Sequence, residues 1–158
     1  MNPLFKGFLD ACKPPDRRPP WKWAEEFVYV DDTSNMPGRW KSDNSPWSRA
    51  ILEALADPSV RRIDIKCAAQ AAKSQTLICA LFWAINEDPG AMQWVMASED
   101  DVKDFVRDRI APSMRSCAPV REKLISESVD DFVFSTCPVY FRGAGSPSKL
   151  QSDRKSVV

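Results

Sequence analysis

Lys73 and Ser74 are the pair in this chain best suited to handling phosphate. A lysine brings a mobile ammonium to terminal phosphate oxygens, and a hydroxyl beside it can ligate Mg²⁺. Before them runs Cys67-Ala68-Ala69-Gln70-Ala71-Ala72, a stretch of mostly small residues. The spacing is that of the phosphate loop G-x-x-x-x-G-K-S/T, with Cys67 at the first glycine place and Ala72 at the second. Such loops work because successive backbone N–H groups point into one concavity, helped by the positive end of the next helix. Glycine is favoured where the loop needs positive φ. An alanine forced left-handed at position 72 costs on the order of 1–2 kcal/mol. A second reading stands beside this one: Ala-Ala-Gln-Ala-Ala-Lys is a helix-prone run that begins a buried helix.

A phosphate loop needs a strand before it and a helix after it. Residues 60–66 are expected to form that strand, with Ile63, Ile65 and Cys67 alternating with Asp64 and Lys66. Residues 73–86 are expected to form the helix, apolar nearly all round and therefore buried. Upstream, Ser45-Pro46 opens a helix whose stripe is Trp47, Ala50, Ile51, Ala54 and Leu55, and Asp57-Pro58 stops it. Residues 92–97 read as a second parallel strand. Ser98 caps the helix that follows, with Asp101 as its capping-box partner. That helix carries a stripe of Val102, Phe105, Val106 and Ile110. Residues 120–125 suggest a further short helix, and 132–135 and 139–142 suggest two strands around a turn. The order strand, loop, helix, strand, helix predicts a parallel α/β sheet. Residues 3–12 suggest a short helix, 13–20 a proline-rich linker and 21–30 another helix. Trp21, Trp23 and Trp40 are expected to pack as an aromatic latch. Residues 146–150 suggest a helical turn, and Val157-Val158 the first half of a buried strand. A chain ending inside such a strand reads as a fragment.

Composition narrows the chemistry. The 158 residues fit one domain and carry 22 basic and 22 acidic side chains, so nucleic-acid contact needs a local basic patch. There is no histidine, which excludes Ser-His and Cys-His catalysis and histidine-bound metals. Five cysteines without a C-x-x-C pair point to reduced thiols and away from a zinc site. No long apolar run is expected to span a membrane. The acidic cluster Glu99, Asp100, Asp101, Asp104 and Asp108 reads as a solvated helix start.

The flanks of the loop carry a resemblance. Trp23-Ala24-Glu25-Glu26, Pro37-Gly38 and Pro46 are followed by the run from Ile51 to Val60 and by Lys66 to Ser74. Further on stand Ile110 to Met114 and Arg142 to Ser152. In this order and spacing they resemble the N-terminal ATPase region of lambda-like, GpA-type phage terminase large subunits. The resemblance implies a P-loop NTPase of the ASCE, RecA-like class, with a parallel sheet flanked by helices and incomplete at the C-terminus. Residues 1–44 would be a helical and linker segment, and 45–158 the N-terminal part of the ATPase domain.

The implied function is ATP-driven packaging of double-stranded DNA in a tailed phage or prophage. The implied partners are the small terminase subunit and the portal of the procapsid, in the bacterial host cytoplasm. The implied nucleotide-binding residues are Ala69, Gln70, Ala71, Ala72, Lys73, Ser74 and Gln75, with ATP and Mg²⁺ as cofactors and Ser74 on the metal. Arg142 and Lys149 are candidates for DNA contact. Many relatives carry a γ-phosphate-sensing arginine where this chain has Ala69, and Lys66 lies outside that place. The Walker B carboxylates are expected just beyond Val158, so weak nucleotide binding and little turnover are expected of this chain. An apolar sheet edge left open there predicts association, as in a homo-oligomer, or poor solubility. Two alternatives remain: a degenerate P-loop domain acting as an interaction module, and a helicase-type DNA-translocating ATPase.

Overall fold

The computed structural model describes residues 18–30, 36–128 and 130–145. The expected helix at 3–12, most of the linker, Lys149, the turn at 146–150 and the strand at Val157-Val158 lie outside them. Helix α1 spans Pro20–Phe27, and strands β1 (Tyr29–Val30) and β2 (Gly38–Arg39) pair antiparallel behind it. Helix α2 is Trp47–Ala56 and α3 is Lys73–Glu87. Strand β3 (Met92–Met96) leads into α4 (Glu99–Phe105), a π-helical turn (Val106–Ile110), α5 (Ala111–Ser116) and α6 (Ala118–Arg121). Strands β4 (Leu124–Glu127), β5 (Asp131–Phe134) and β6 (Pro138–Gly143) follow.

The main sheet has the order β3-β6-β5-β4. Only β3 and β6 run parallel, in the register Met92 opposite Val139 to Met96 opposite Gly143. The β5–β6 and β4–β5 pairs are antiparallel. The expected parallel sheet is thus corrected to a mixed one. The tight turn at Ser135 to Cys137 can only return the chain antiparallel, because parallel neighbours need a long crossover. The expected helix at 120–125 is also divided: α6 ends at Arg121, and Leu124 already belongs to β4.

Residues 60–66 are the largest departure. They join no sheet, and only Ile63 and Ile65 are even half-buried. Their alternation offers one apolar face, and no described strand lies beside them to use it. The phase of α2 differs as well. Its buried face is Ser48 and Leu52, while Trp47 and Leu55 are exposed.

The core forms where α3 and the α4–α5 run cover the sheet. Ile78, Phe82 and Ile85 meet Val102, Ile110 and Met114 over Phe132, Val139 and Phe141. Trp23 and Trp40 are buried in the same core, and Trp21 packs on its border with Nε1 donating to Glu53 at 2.8 Å. Ser98 caps α4, accepting from the Asp101 amide at 3.1 Å while its hydroxyl donates to the Asp101 carboxylate at 2.7 Å.

The end of β6 runs against this cap. A Cβ on Gly143 would lie 2.4 Å from the Glu99 nitrogen and 2.6 Å from the Ser98 carbonyl carbon. Both are backbone atoms that cannot swing away. Gly143→Ala is therefore expected to destabilise the protein by about 1–3 kcal/mol, as overpacking does. The check is a lower urea midpoint at unchanged m-value.

Candidate functional site

The loop before α3 is built on two left-handed residues. Gln70 has φ 58° and Ala72 has φ 54°. Ala72 is the residue that ends the loop and starts the helix, with ψ 21°. An alanine holds this conformation only where its surroundings insist on it. Here the neighbours are specific. Trp47 Nε1 donates to the Ala71 carbonyl at 3.1 Å. The Ala72 carbonyl accepts from both the amide and the hydroxyl of Thr76, at 2.9 and 3.0 Å. The Thr76 hydroxyl meets Ser48 Oγ at 2.7 Å, and Ser48 meets Ser45 Oγ at 2.8 Å. Ser45, Ser48 and Thr76 are all buried. Ser45, expected as the cap of α2, spends its hydroxyl on this chain instead.

These contacts hold the loop against one wall of a cavity of about 590 Å³. Gln70 to Gln75 line it, whereas Ala69 does not. Lys73 Nζ folds back to the Ala68 carbonyl at 2.7 Å. Ser74 is exposed. Gln75 Nε2 is buried without a hydrogen-bond partner among the described residues. The amides of Lys73, Ser74 and Gln75 open the helix and have no acceptor within it.

Other lining residues come from separate segments. Arg39 and Lys41 flank buried Trp40, and Arg109 projects from the π-helical turn. Among the described residues that line the cavity, four are cationic and none is acidic. This surplus stands in a chain whose formal charge is zero. The side chains of Lys41 and Arg109 make no hydrogen bond or ion pair among the described residues.

The family model for the ATPase domain of the phage terminase large subunit gpA matches residues 34–158. The chain belongs to this family. Membership supports a role in the phage DNA-packaging motor. No curated protein matches the terminase chain in a sequence comparison. No helix among its described residues is long and apolar enough to cross a membrane.

Three of the four cations in the cavity, Arg39, Lys41 and Arg109, lie outside the loop motif that the sequence displays. Arg39-Trp40-Lys41 held the signal: in an extended segment, the neighbours of a buried residue both turn outward. Arg109 gave none, because the cavity is assembled across 36 residues of chain from Lys73. Arg142 sits in the sheet, 7% exposed. Its Nη1 donates to Asp131 Oδ1 at 2.6 Å and to the Phe141 carbonyl at 2.9 Å. The acidic cluster is paired too, Asp100 with Lys103, and Asp104 and Asp108 with Arg107. Among the described residues no three acidic or cysteine side chains gather as a metal site.

Replacing Ala72 by glycine tests the strain directly. Relief of the left-handed alanine, about 1–2 kcal/mol, exceeds the 0.5–1 kcal/mol that glycine loses in entropy. Ala72→Gly is therefore expected to raise stability by about 0.5–1 kcal/mol in urea unfolding. A loss of stability would mean that Ala72 is ordinary helix.

Proposed function

We propose that residues 70–75 hold the phosphates of ATP, as the Walker A half of the packaging motor's ATPase site in a P-loop domain. The observation that carries this reading is the charge of the cavity: four cations without a carboxylate, around a loop that opens a helix. Three further features support it. The helix start offers free N–H groups and the positive end of its dipole. The volume falls within the usual range for small-molecule sites. Lys73 rests on a neutral carbonyl, and an anionic phosphate oxygen is the stronger acceptor. The lysine exchanges one for the other when phosphate enters.

Ser74, exposed in the first turn of α3, is the residue that would hold Mg²⁺, and the hydroxyl fits that ion's preference for oxygen ligands. When bound, the ion offsets charge on the nucleotide's phosphates. The residues described here bind and orient. The Thr76 hydroxyl, backed by Ser48 and Ser45, engages the Ala72 carbonyl, and Trp47 engages that of Ala71, so neither carbonyl is left free to face the anion. Double-stranded DNA, the small terminase subunit and a portal are the partners this reading carries.

Titration with a fluorescent ATP analogue in Mg²⁺ tests it. Lys73→Ala is expected to weaken binding about tenfold or more, the loss of a charge-assisted contact. Ser74→Ala is expected to remove the Mg²⁺ dependence and leave metal-free binding intact. Equal affinity in Lys73→Ala and the unaltered chain would overturn the assignment.

A further inference from the structure

The cavity's cations do not all belong to the loop. Lys73 stands at the helix start, while Arg109 reaches the same space from the π-helical turn, a different element. Its surroundings explain why it is available. Val106 and Ile110 on the same turn are buried and fix its orientation. Asp108, the adjacent carboxylate, is taken by Arg107, whose Nε lies 2.7 Å from it. That hydrogen bond holds Asp108 below the usual carboxylate range. Arg107 also pairs with Asp104 at 2.8 Å. Arg109 therefore faces the cavity with its charge uncompensated by any described residue. Single π-helical turns inside α-helices recur at functional sites.

We infer that Arg109 contacts the terminal phosphate of the bound nucleotide and so favours triphosphate over diphosphate. The inference rests on the reading that residues 70–75 hold nucleotide phosphates. The loop amides and Lys73 serve the phosphates nearest α3. A cation from a different element can serve the phosphate oxygens that the loop amides and Lys73 leave uncovered. Of the three cations outside the loop, Arg109 suits this best. Arg39 already donates to the Glu26 carbonyl at 2.7 Å. Lys41 is a point charge on a flexible stem, whereas a guanidinium offers a planar fork that grips two phosphate oxygens at once.

The test compares ATP and ADP affinity in the full chain and in four variants: Arg109→Ala, Arg109→Lys, Arg107→Ala and Lys73→Ala. Arg109→Ala is expected to weaken ATP about tenfold or more and ADP by less than about threefold. Arg109→Lys should recover part of the loss, which separates charge from folding. Arg107→Ala frees Asp108 beside Arg109 and should weaken ATP in the same direction, by less than Arg109→Ala. Circular dichroism melting checks that each variant is folded. If Arg109→Ala binds ATP normally, or loses ATP and ADP equally, while Lys73→Ala loses both, the role of Arg109 is overturned and the loop reading stands. If the unaltered chain binds neither nucleotide, both readings fall.

Discussion

A buried chain of three hydroxyls underlies the candidate site. Ser45, Ser48 and Thr76 lie in contact at 2.7–2.8 Å, and Thr76 ends the chain on the Ala72 carbonyl. Hydroxyls can donate and accept, so such a chain satisfies each member without a charge. Buried hydroxyls left unpaired are costly, which makes the arrangement hard to loosen piecemeal. It ties α2 to α3 and thereby imposes the left-handed alanine on which the loop's curvature depends. Trp47 adds a second tie one residue earlier in the loop. The aromatic packing of Trp23 and Trp40 in turn fixes where α1 and the Arg39–Lys41 segment lie.

Much of the architecture was legible because local signals agreed with tertiary demands. The helix from Lys73 showed its buried stripe, and Ile78, Leu81, Phe82 and Ile85 are buried. Ser98 announced a cap and makes one. The hairpin formed by β5 and β6 followed from two short apolar runs around Cys137-Pro138. Errors arose where a pattern had no partner to read it. Residues 60–66 alternate like a strand but join no sheet. The stripe on α2 was misphased because the face turned to α3 is built on a polar residue, Ser48, which hydropathy counts against burial. A hydroxyl network is invisible to a search for apolar periodicity. In the same way, a cavity shared by three separate segments leaves no spacing to detect.

Electrostatics divides the surface unevenly. The acidic residues at the start of α4 favour its dipole, Asp100 among them pairs with Lys103, and Asp104 and Asp108 further along pair with Arg107. Arg142 is absorbed by Asp131 within the sheet. These pairings take up charge elsewhere and leave the cavity with unbalanced cations. A chain of zero formal charge can thus present a strongly positive concavity, where low-dielectric walls concentrate the field.

The chain has no glycine between Gly38 and Gly90, so the loop contains none. Glycine-rich loops can reshape by concerted rotations of their peptide planes, because every φ is open to them. Here Gln70 and Ala72 occupy narrow wells, with the adjoining carbonyls anchored from two sides. Such a backbone is stiff before any ligand arrives, and its ordering entropy has been lost on folding rather than on association. A ligand entering the concavity would meet an unyielding rim, and on the proposed reading the response would lie in side-chain rotation, above all that of Lys73 away from the Ala68 carbonyl, rather than in movement of the loop itself.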